Sequence, residues 1–330
     1  RQRVAPAGAT LGPMTEAFDA TTHMGTVTLT STDADALARF YEDVVGLEPL
    51  GRSGDVLDLG APGGTTPLVR IVGDPEASRV RGVNGLFHLA VLLPDRADLG
   101  HAIRRVVEHG WRLTGASDHF VSEALYLRDP EGNGIEIYRD VPREDWRWSG
   151  GEVDMGTVAL DMQPIVDAAA GETATRTRVS PDATIGHVHL SVGSLQDVVP
   201  FYRDVIGLDV TAHYGDQATF LSAGGYHHHL GMNTWAGHGL LAPPPDVTGL
   251  RSFEIVSPDT VTRAALHERV ERHDEPDDHD HAEGECPGEV LAAEHRLARD
   301  GGADLERNDL RSLAREGGGG RIRRERVREQ

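Results

Sequence analysis

Two spacings of apolar residues organise this chain. Residues Thr26 to Thr30 and His187 to Ser191 alternate with period two, which predicts half-buried strands. Each strand leads into a segment of helical spacing. In the first, Leu37, Phe40, Tyr41 and Val44 recur at i, i+3, i+4 and i+7 before Gly46 ends the helix. Residues 35–47 are answered by residues 196–208, Phe-Tyr-Glu-Asp-Val-Val-Gly-Leu by Phe-Tyr-Arg-Asp-Val-Ile-Gly-Leu. A third copy keeps the pattern in other words. Phe87 to Leu93 is a strand, Pro94-Asp95 a turn, and Leu99, Ile103, Val106 and Val107 mark a helix closed by His109-Gly110. A fourth starts with Ser252 to Val256, turns at Pro258-Asp259 and enters a helix through Leu266 and Val270. Four strand–helix starts, each but the last followed by further strands, predict four βαβββ modules.

The second module ends in a hairpin. Asp129-Pro130-Glu131-Gly132-Asn133-Gly134 has the Pro, Gly and Asn that a tight connection demands. Leu125 and Leu127 flank Tyr126, and Ile135 and Ile137 flank Glu136, so Tyr126 and Glu136 share the face opposite the aliphatic residues. A carboxylate mid-strand between isoleucines is costly to bury unless a cation or donors meet it. The bland reading of the same pattern is a surface hairpin with Glu136 in water.

Composition narrows the setting. The 330 residues suffice for two ordinary domains, and no apolar run is long enough to span a membrane. The N-terminus lacks the apolar stretch of a secretory leader, and residues 1–13, ahead of the first Met at Met14, read either as upstream sequence or as an added remnant. One cysteine, Cys286, excludes a disulfide framework and favours a cytoplasmic protein. The net charge of −21 opposes nucleic-acid binding, which needs the other sign. Lysine is absent, so every basic side chain is Arg. An acidic excess of this size fits a halophilic, salt-rich cytoplasm, where ions screen self-repulsion. From about His273 the strand periodicity is lost and a charged tail follows, with the composition of disorder or solvated helix.

The order His119, Leu125-Tyr126, Asp129-Pro130, Gly132 or Gly134, then Glu136 resembles the signature of extradiol ring-cleavage dioxygenases, catechol 2,3-dioxygenases among them. Those enzymes belong to the vicinal oxygen chelate superfamily, together with glyoxalase I and the bleomycin-resistance proteins. The resemblance covers roughly residues 24–272. It implies an α+β fold in which βαβββ modules pair into half-barrels, the fourth being degenerate or truncated. The expected organisation is an extension at 1–23, a first domain at 24–149 and a linker at 150–181 with a short helix near Ile165–Ala170. A second domain at 182–272 and a tail at 273–330 complete it.

In this superfamily the metal ligands sit early in a module's first strand and in its last strand. Module two then offers His88 and Glu136, and module three offers His187, with His189 on the same face. Thr26 and Ser252 hold the corresponding first-strand positions of modules one and four and supply no imidazole. The set His88, Glu136 and His187 is the two-His, one-carboxylate triad of Fe(II) oxygenases. Each histidine alone would sooner be a core residue than a ligand; the agreement of three positions makes the case. Drawing ligands from modules two and three implies that these two share a half-barrel and that one and four form a metal-free partner.

The resemblance further implies a small aromatic diol and dioxygen as substrates. It casts His228 as acid–base group, with Tyr126 and His119 as hydrogen-bonding partners of the substrate oxygens. His228 comes from the run His227-His228-His229, read as a strand that sends His227 and His229 to the opposite face. Two other functions remain open at this point. A glyoxalase-like isomerase would take a fourth ligand from His227 or His229, and a metal-free binding protein would need none of the triad. Nothing in the chain opposes a homo-oligomer.

Overall fold

The two repeated helices are shorter than their apolar spacing predicts, and they end alike. The computed structural model describes residues 20–171, 176–257, 264, 266–270 and 273. Most of the N-terminal extension, most of the fourth module's helix and the acidic tail lie outside them. Module one comprises β1 (His23–Ser31), α1 (Ala34–Phe40), β2 (Glu48–Ser53), β3 (Val56–Gly60) and β4 (Val69–Gly73). Module two comprises β5 (Gly85–Leu93), α2 (Arg96–Glu108), β6 (Gly115–Asp118), β7 (Ser122–Arg128) and β8 (Gly134–Asp140). Then come β9 (Trp148–Ser149), β10 (Glu152–Val153), β11 (Val158–Ala159) and α3 (Gln163–Ala168). Module three has β12 (Thr184–Ser191), α4 (Leu195–Pro200), β13 (Asp209–Tyr214), β14 (Ala218–Ser222) and β15 (Leu230–Asn233), and β16 (Gly249–Val256) opens module four.

After α1 and α4 the chain continues as π-helical turns, Tyr41–Val45 and Phe201–Ile206. Gly46 N–H donates to Tyr41 O at 2.9 Å and Gly207 N–H to Tyr202 O at 3.0 Å. The wider turn carries Tyr41 and Tyr202 into the core, and glycines at φ 95° and 96° close it in a conformation other residues resist. In α2, Leu99, Ile103 and Val106 are buried while Val107 lies in solvent at 69% exposure, so the apolar stripe is narrower than its sequence spacing suggested.

The described residues belong to one compact unit with two large sheets. One runs β16-β1-β4-β3-β2, joining module one to the first strand of module four. The other, nine strands in the order β11-β6-β7-β8-β5-β12-β15-β14-β13, joins modules two and three. The fold is thus mixed α+β with curled, half-barrel sheets, and the inner modules pair as expected. At the seam β5 and β12 run antiparallel, with His88 opposite His189 and Ala90 opposite His187. Leu125, Leu127, Ile135 and Ile137 are buried in the main core with Leu99 and Val106 of α2. The other face of β7 and β8 is thereby left to Tyr126 and Glu136.

The segment read as a linker does more than connect. β11 extends the nine-stranded sheet by pairing with β6, Val158 opposite Asp118. The expected short helix is there, two residues earlier, and Gly100 of α2 lets the Ile165 carbonyl approach where a Cβ would meet it at 2.5 Å. No described helix is long and apolar enough to cross a membrane.

The β7–β8 turn also ties the sheets together. Glu131 Oε1 accepts from Ser31 Oγ, Thr32 N and Thr32 Oγ1 at 2.9, 2.9 and 2.8 Å. Asp129, in the same turn, accepts from Asn133 N and Nδ2, each at 2.8 Å. Burial pushes the Asp129 carboxyl up to about 6, against the lowering from Asn133 and the turn amides. Between about pH 4 and pH 6 the folded protein then binds more protons at this site than the unfolded chain, so this group's contribution to stability falls as pH rises. Asp129→Asn is expected to gain on the wild type by about 1–3 kcal/mol between pH 4 and pH 7. Urea unfolding of both proteins at the two pH values measures this; a constant difference would refute it.

Candidate metal centre

Three neighbouring strands, β8, β5 and β12, each present one side chain to a common point. His88 Nε2 lies 3.0 Å from Glu136 Oε2, His187 Nε2 lies 3.1 Å from the same oxygen, and the two nitrogens are 3.2 Å apart. All three residues are buried, at 5%, 2% and 2% exposure for His88, Glu136 and His187. Among the described residues this is the one group of three or more His, Cys, Asp or Glu whose donor atoms converge in this way. Burial lowers the His187 imidazole to about 4, so it is neutral near pH 7 and offers a lone pair. Burial also opposes a charge on Glu136, but His187 and His88 outweigh it and hold the carboxyl well below the usual carboxylate range.

These separations fit a metal. Ligand bonds of about 2.1 Å at right angles place donor atoms about 3.0 Å apart, the edge of one face of an octahedron. Two imidazole nitrogens and one carboxylate oxygen, buried and 3.0–3.2 Å from one another, are three electron-pair donors that a cation can hold together. Two nitrogens and one oxygen suit a first-row divalent ion.

The fourth corner is open. Glu136 pairs across the sheet with Ala90, two residues beyond His88; two residues beyond His187 stands His189, and its partner is Gly231. Gly231 therefore occupies in module three the place Glu136 holds in module two. It cannot ligate, and a Cβ there would meet the His189 ring at 2.9 Å. His189 does not join the metal group either. Its Nε2 accepts from Asn233 Nδ2 at 3.0 Å, and Asn233 is held by its Oδ1, which accepts from Trp235 N at 3.1 Å.

Tyr126 sits opposite Glu136 across the β7–β8 ladder, and its ring lies 5.7 Å from that of His88. Burial, then the Glu136 charge, raises its hydroxyl well above the ordinary tyrosine range, so it stays protonated. His119 Nδ1 donates to the Gly156 carbonyl at 2.7 Å, which leaves Nε2 to accept from the Tyr126 hydroxyl, also at 2.7 Å. The signature histidine and tyrosine are thus one hydrogen-bonded pair at the rim of the triad.

The histidine run departs from the expected strand. β15 begins only at Leu230, so His227, His228 and His229 lie in the loop before it and do not alternate between faces. All three are buried. The His228 ring packs on His187 with centroids 4.1 Å apart. Burial, then the neighbouring imidazoles, lowers its pKa well below the usual histidine range. His229 turns away, its Nδ1 accepting from Ser222 Oγ at 3.0 Å and Ala223 N at 3.2 Å. His227 Nε2 lies 2.8 Å from Asp140 Oδ1. Neither His227 nor His229 belongs to the converging ligand group.

Sequence reasoning passed over Asp140 and Tyr138, although a signal exists: they follow Glu136 at period two along β8. It also passed over an aromatic wall beside the triad, where Phe87 lies 5.3 Å from His88 and 5.2 Å from Trp235, and Phe220 lies 5.0 Å from His228.

This fold and metal constellation define a class, and sequence comparison assigns it. Residues 23–137 and 184–296 match the profile described as the Glyoxalase/Bleomycin resistance protein/Dioxygenase superfamily, and the chain belongs to that family. It is 42% identical over 241 residues to the catechol-2,3-dioxygenase of Bacillus subtilis (strain 168), covering 72% of this chain and 83% of that protein. A solved structure from Bacillus subtilis, provisionally described as a dioxygenase, has a TM-score of 0.50 at 13% identity, covering 76% of this chain and 75% of that one. Glyoxalase I from Zea mays matches with a TM-score of 0.46 at 14% identity over 76% of this chain and 80% of its own.

Proposed function

We propose that this protein is an Fe(II)-dependent extradiol dioxygenase that opens the ring of catechol, or of a substituted catechol, beside its diol. The enzyme class follows from the 42% identity to a catechol-2,3-dioxygenase over most of the chain. The observation that carries the metal assignment is the convergence of His88, Glu136 and His187 with no fourth protein donor at Gly231. Bound by those three residues, iron would supply Lewis acidity toward the diol and a redox centre for dioxygen. Overall, one ring carbon–carbon bond breaks and both oxygen atoms enter the product, so no further reductant is needed.

The chain's own residues bind, orient and move protons. His228, packed on His187 with Nε2 unpartnered among the described residues, is placed to take a diol proton and return it later. Tyr126 has one proton and two acceptors, His119 and Glu136, so its hydroxyl can turn to hold a substrate oxygen while His119 stays anchored on Gly156. Phe87, Phe220 and Trp235 offer ring edges and faces on which a planar substrate can stack, excluding water. Gly231 argues against the glyoxalase-like reading, which needs a fourth ligand, and the converging donors argue against a metal-free binding protein. The lysine-free, acidic composition supports a salt-rich cytoplasm as the setting.

Anaerobic loading of metal-free protein with Fe(II), then addition of catechol in air, tests this. Oxygen uptake equal to the catechol consumed and a ring-opened, strongly absorbing product are expected with iron and not with Zn(II) or Ni(II). Iron binding without any oxygen uptake from a panel of catechols would refute it.

A further inference from the structure

We propose that Asp140 and His227 are positioning residues that fix which nitrogen of His228 carries its proton. The inference rests on His228 being the acid–base group, and it names what sets that group up. The chain of contacts is short and directional. Asp140 Oδ1 lies 2.8 Å from His227 Nε2, and His227 Nδ1 lies 2.8 Å from His228 Nδ1. A carboxylate only accepts, so His227 must donate from Nε2; as a neutral imidazole it then has a bare lone pair at Nδ1. His228 must in turn donate from its own Nδ1. Its Nε2 is left as the lone pair, in the form a base needs.

The carboxylate is held so that it cannot swing away. Asp140 Oδ2 accepts from the Tyr226 hydroxyl at 2.9 Å, and that hydroxyl lies 2.8 Å from the hydroxyl of Tyr138. Tyr138 is itself seated against Gly186, where any Cβ would overlap its hydroxyl. The Thr211 hydroxyl donates to the His227 carbonyl at 2.6 Å and pins the backbone of the loop. Asp140, Tyr138 and the ligand Glu136 share one face of β8, so one strand aligns both the metal and the base.

Histidine tautomers are read directly by nitrogen NMR on protein labelled at histidine nitrogens, using the Zn(II)-loaded form and assigning His228 by its loss in His228→Ala. The wild type is expected to carry the His228 proton on Nδ1. In Asp140→Asn the amide can donate to His227 Nε2, which sends the His227 proton to Nδ1 and the His228 proton to Nε2. That variant is expected to keep iron and the KM for catechol while kcat falls about 10–100-fold, and Asp140→Glu is expected to restore most of it. A wild-type His228 protonated on Nε2, or an Asp140→Asn protein with unchanged tautomer and kcat, would overturn the proposal. The wild-type tautomer is read without turnover, and His228→Ala serves there only to assign the signal. Full activity in His228→Ala would instead overturn the acid–base reading while leaving the tautomer result standing.

Discussion

Glu136→Ala protein is expected to fold and to leave purification without iron. Glu136 Oε2 is the oxygen shared by both imidazoles, 3.0 Å from one and 3.1 Å from the other, so its removal deletes one ligand and the charge that draws a cation into a buried site. Only two imidazoles remain, and a buried dication with no anionic ligand is strongly disfavoured. Metal analysis after dialysis should find less than about one-tenth of wild-type occupancy, and activity should fall with it. The fold should survive, because Ile135 and Ile137 of the same strand keep their places in the core. Full iron occupancy in this variant would remove Glu136 from the ligand set.

Loss of the His228 imidazole is expected to act on chemistry and spare binding. His228→Ala should retain iron and bind catechol, since the converging donors do not include it. Turnover should fall by about two to four orders of magnitude, the usual worth of a positioned proton-transfer group. Anaerobic catechol titration monitored by absorbance, beside steady-state oxygen uptake, separates the two effects. Weakened catechol binding with unchanged kcat would make His228 a binding residue. A parallel loss of iron would place it among the ligands.

Much of this was legible before any coordinates. Alternation around Tyr126 and Glu136, and the doubled strand–helix repeat, fix which faces are wet and which are packed, because both periods follow from local backbone geometry. That His88, Glu136 and His187 converge was legible by resemblance, since each occupies a strand position set by that repeat. What escaped depends on contacts distant in sequence. The histidine run carries no period of its own: its place in a loop is set by where β15 starts pairing with β12 and β14, and three polar side chains in a row look the same in either setting. Asp140 ends its strand just before Val-Pro, where an acidic residue reads as a turn former. The pairing of β11 with β6 joins residues some forty positions apart through a strand of two residues, too short for any local pattern. The π-helical turns escaped because the same apolar spacing serves both helix types until the hydrogen bonds are counted.

The proposed metal ligands bridge the line where the two halves of the nine-stranded sheet meet. β5 and β8 come from one module and β12 from another, so opening that seam pulls His187 away from His88 and Glu136. Linkage makes the relation mutual: whatever affinity the intact site has for its ion is returned as resistance of the seam to opening. At a free metal concentration one hundred times the Kd, the open form is about 2.7 kcal/mol less accessible. Amide hydrogens of the β5–β12 ladder in the loaded enzyme should then exchange with solvent about a hundredfold more slowly, while those of the β1–β4 ladder in the other sheet keep their pace. The ion would act as a rivet through the joint as well as a reagent.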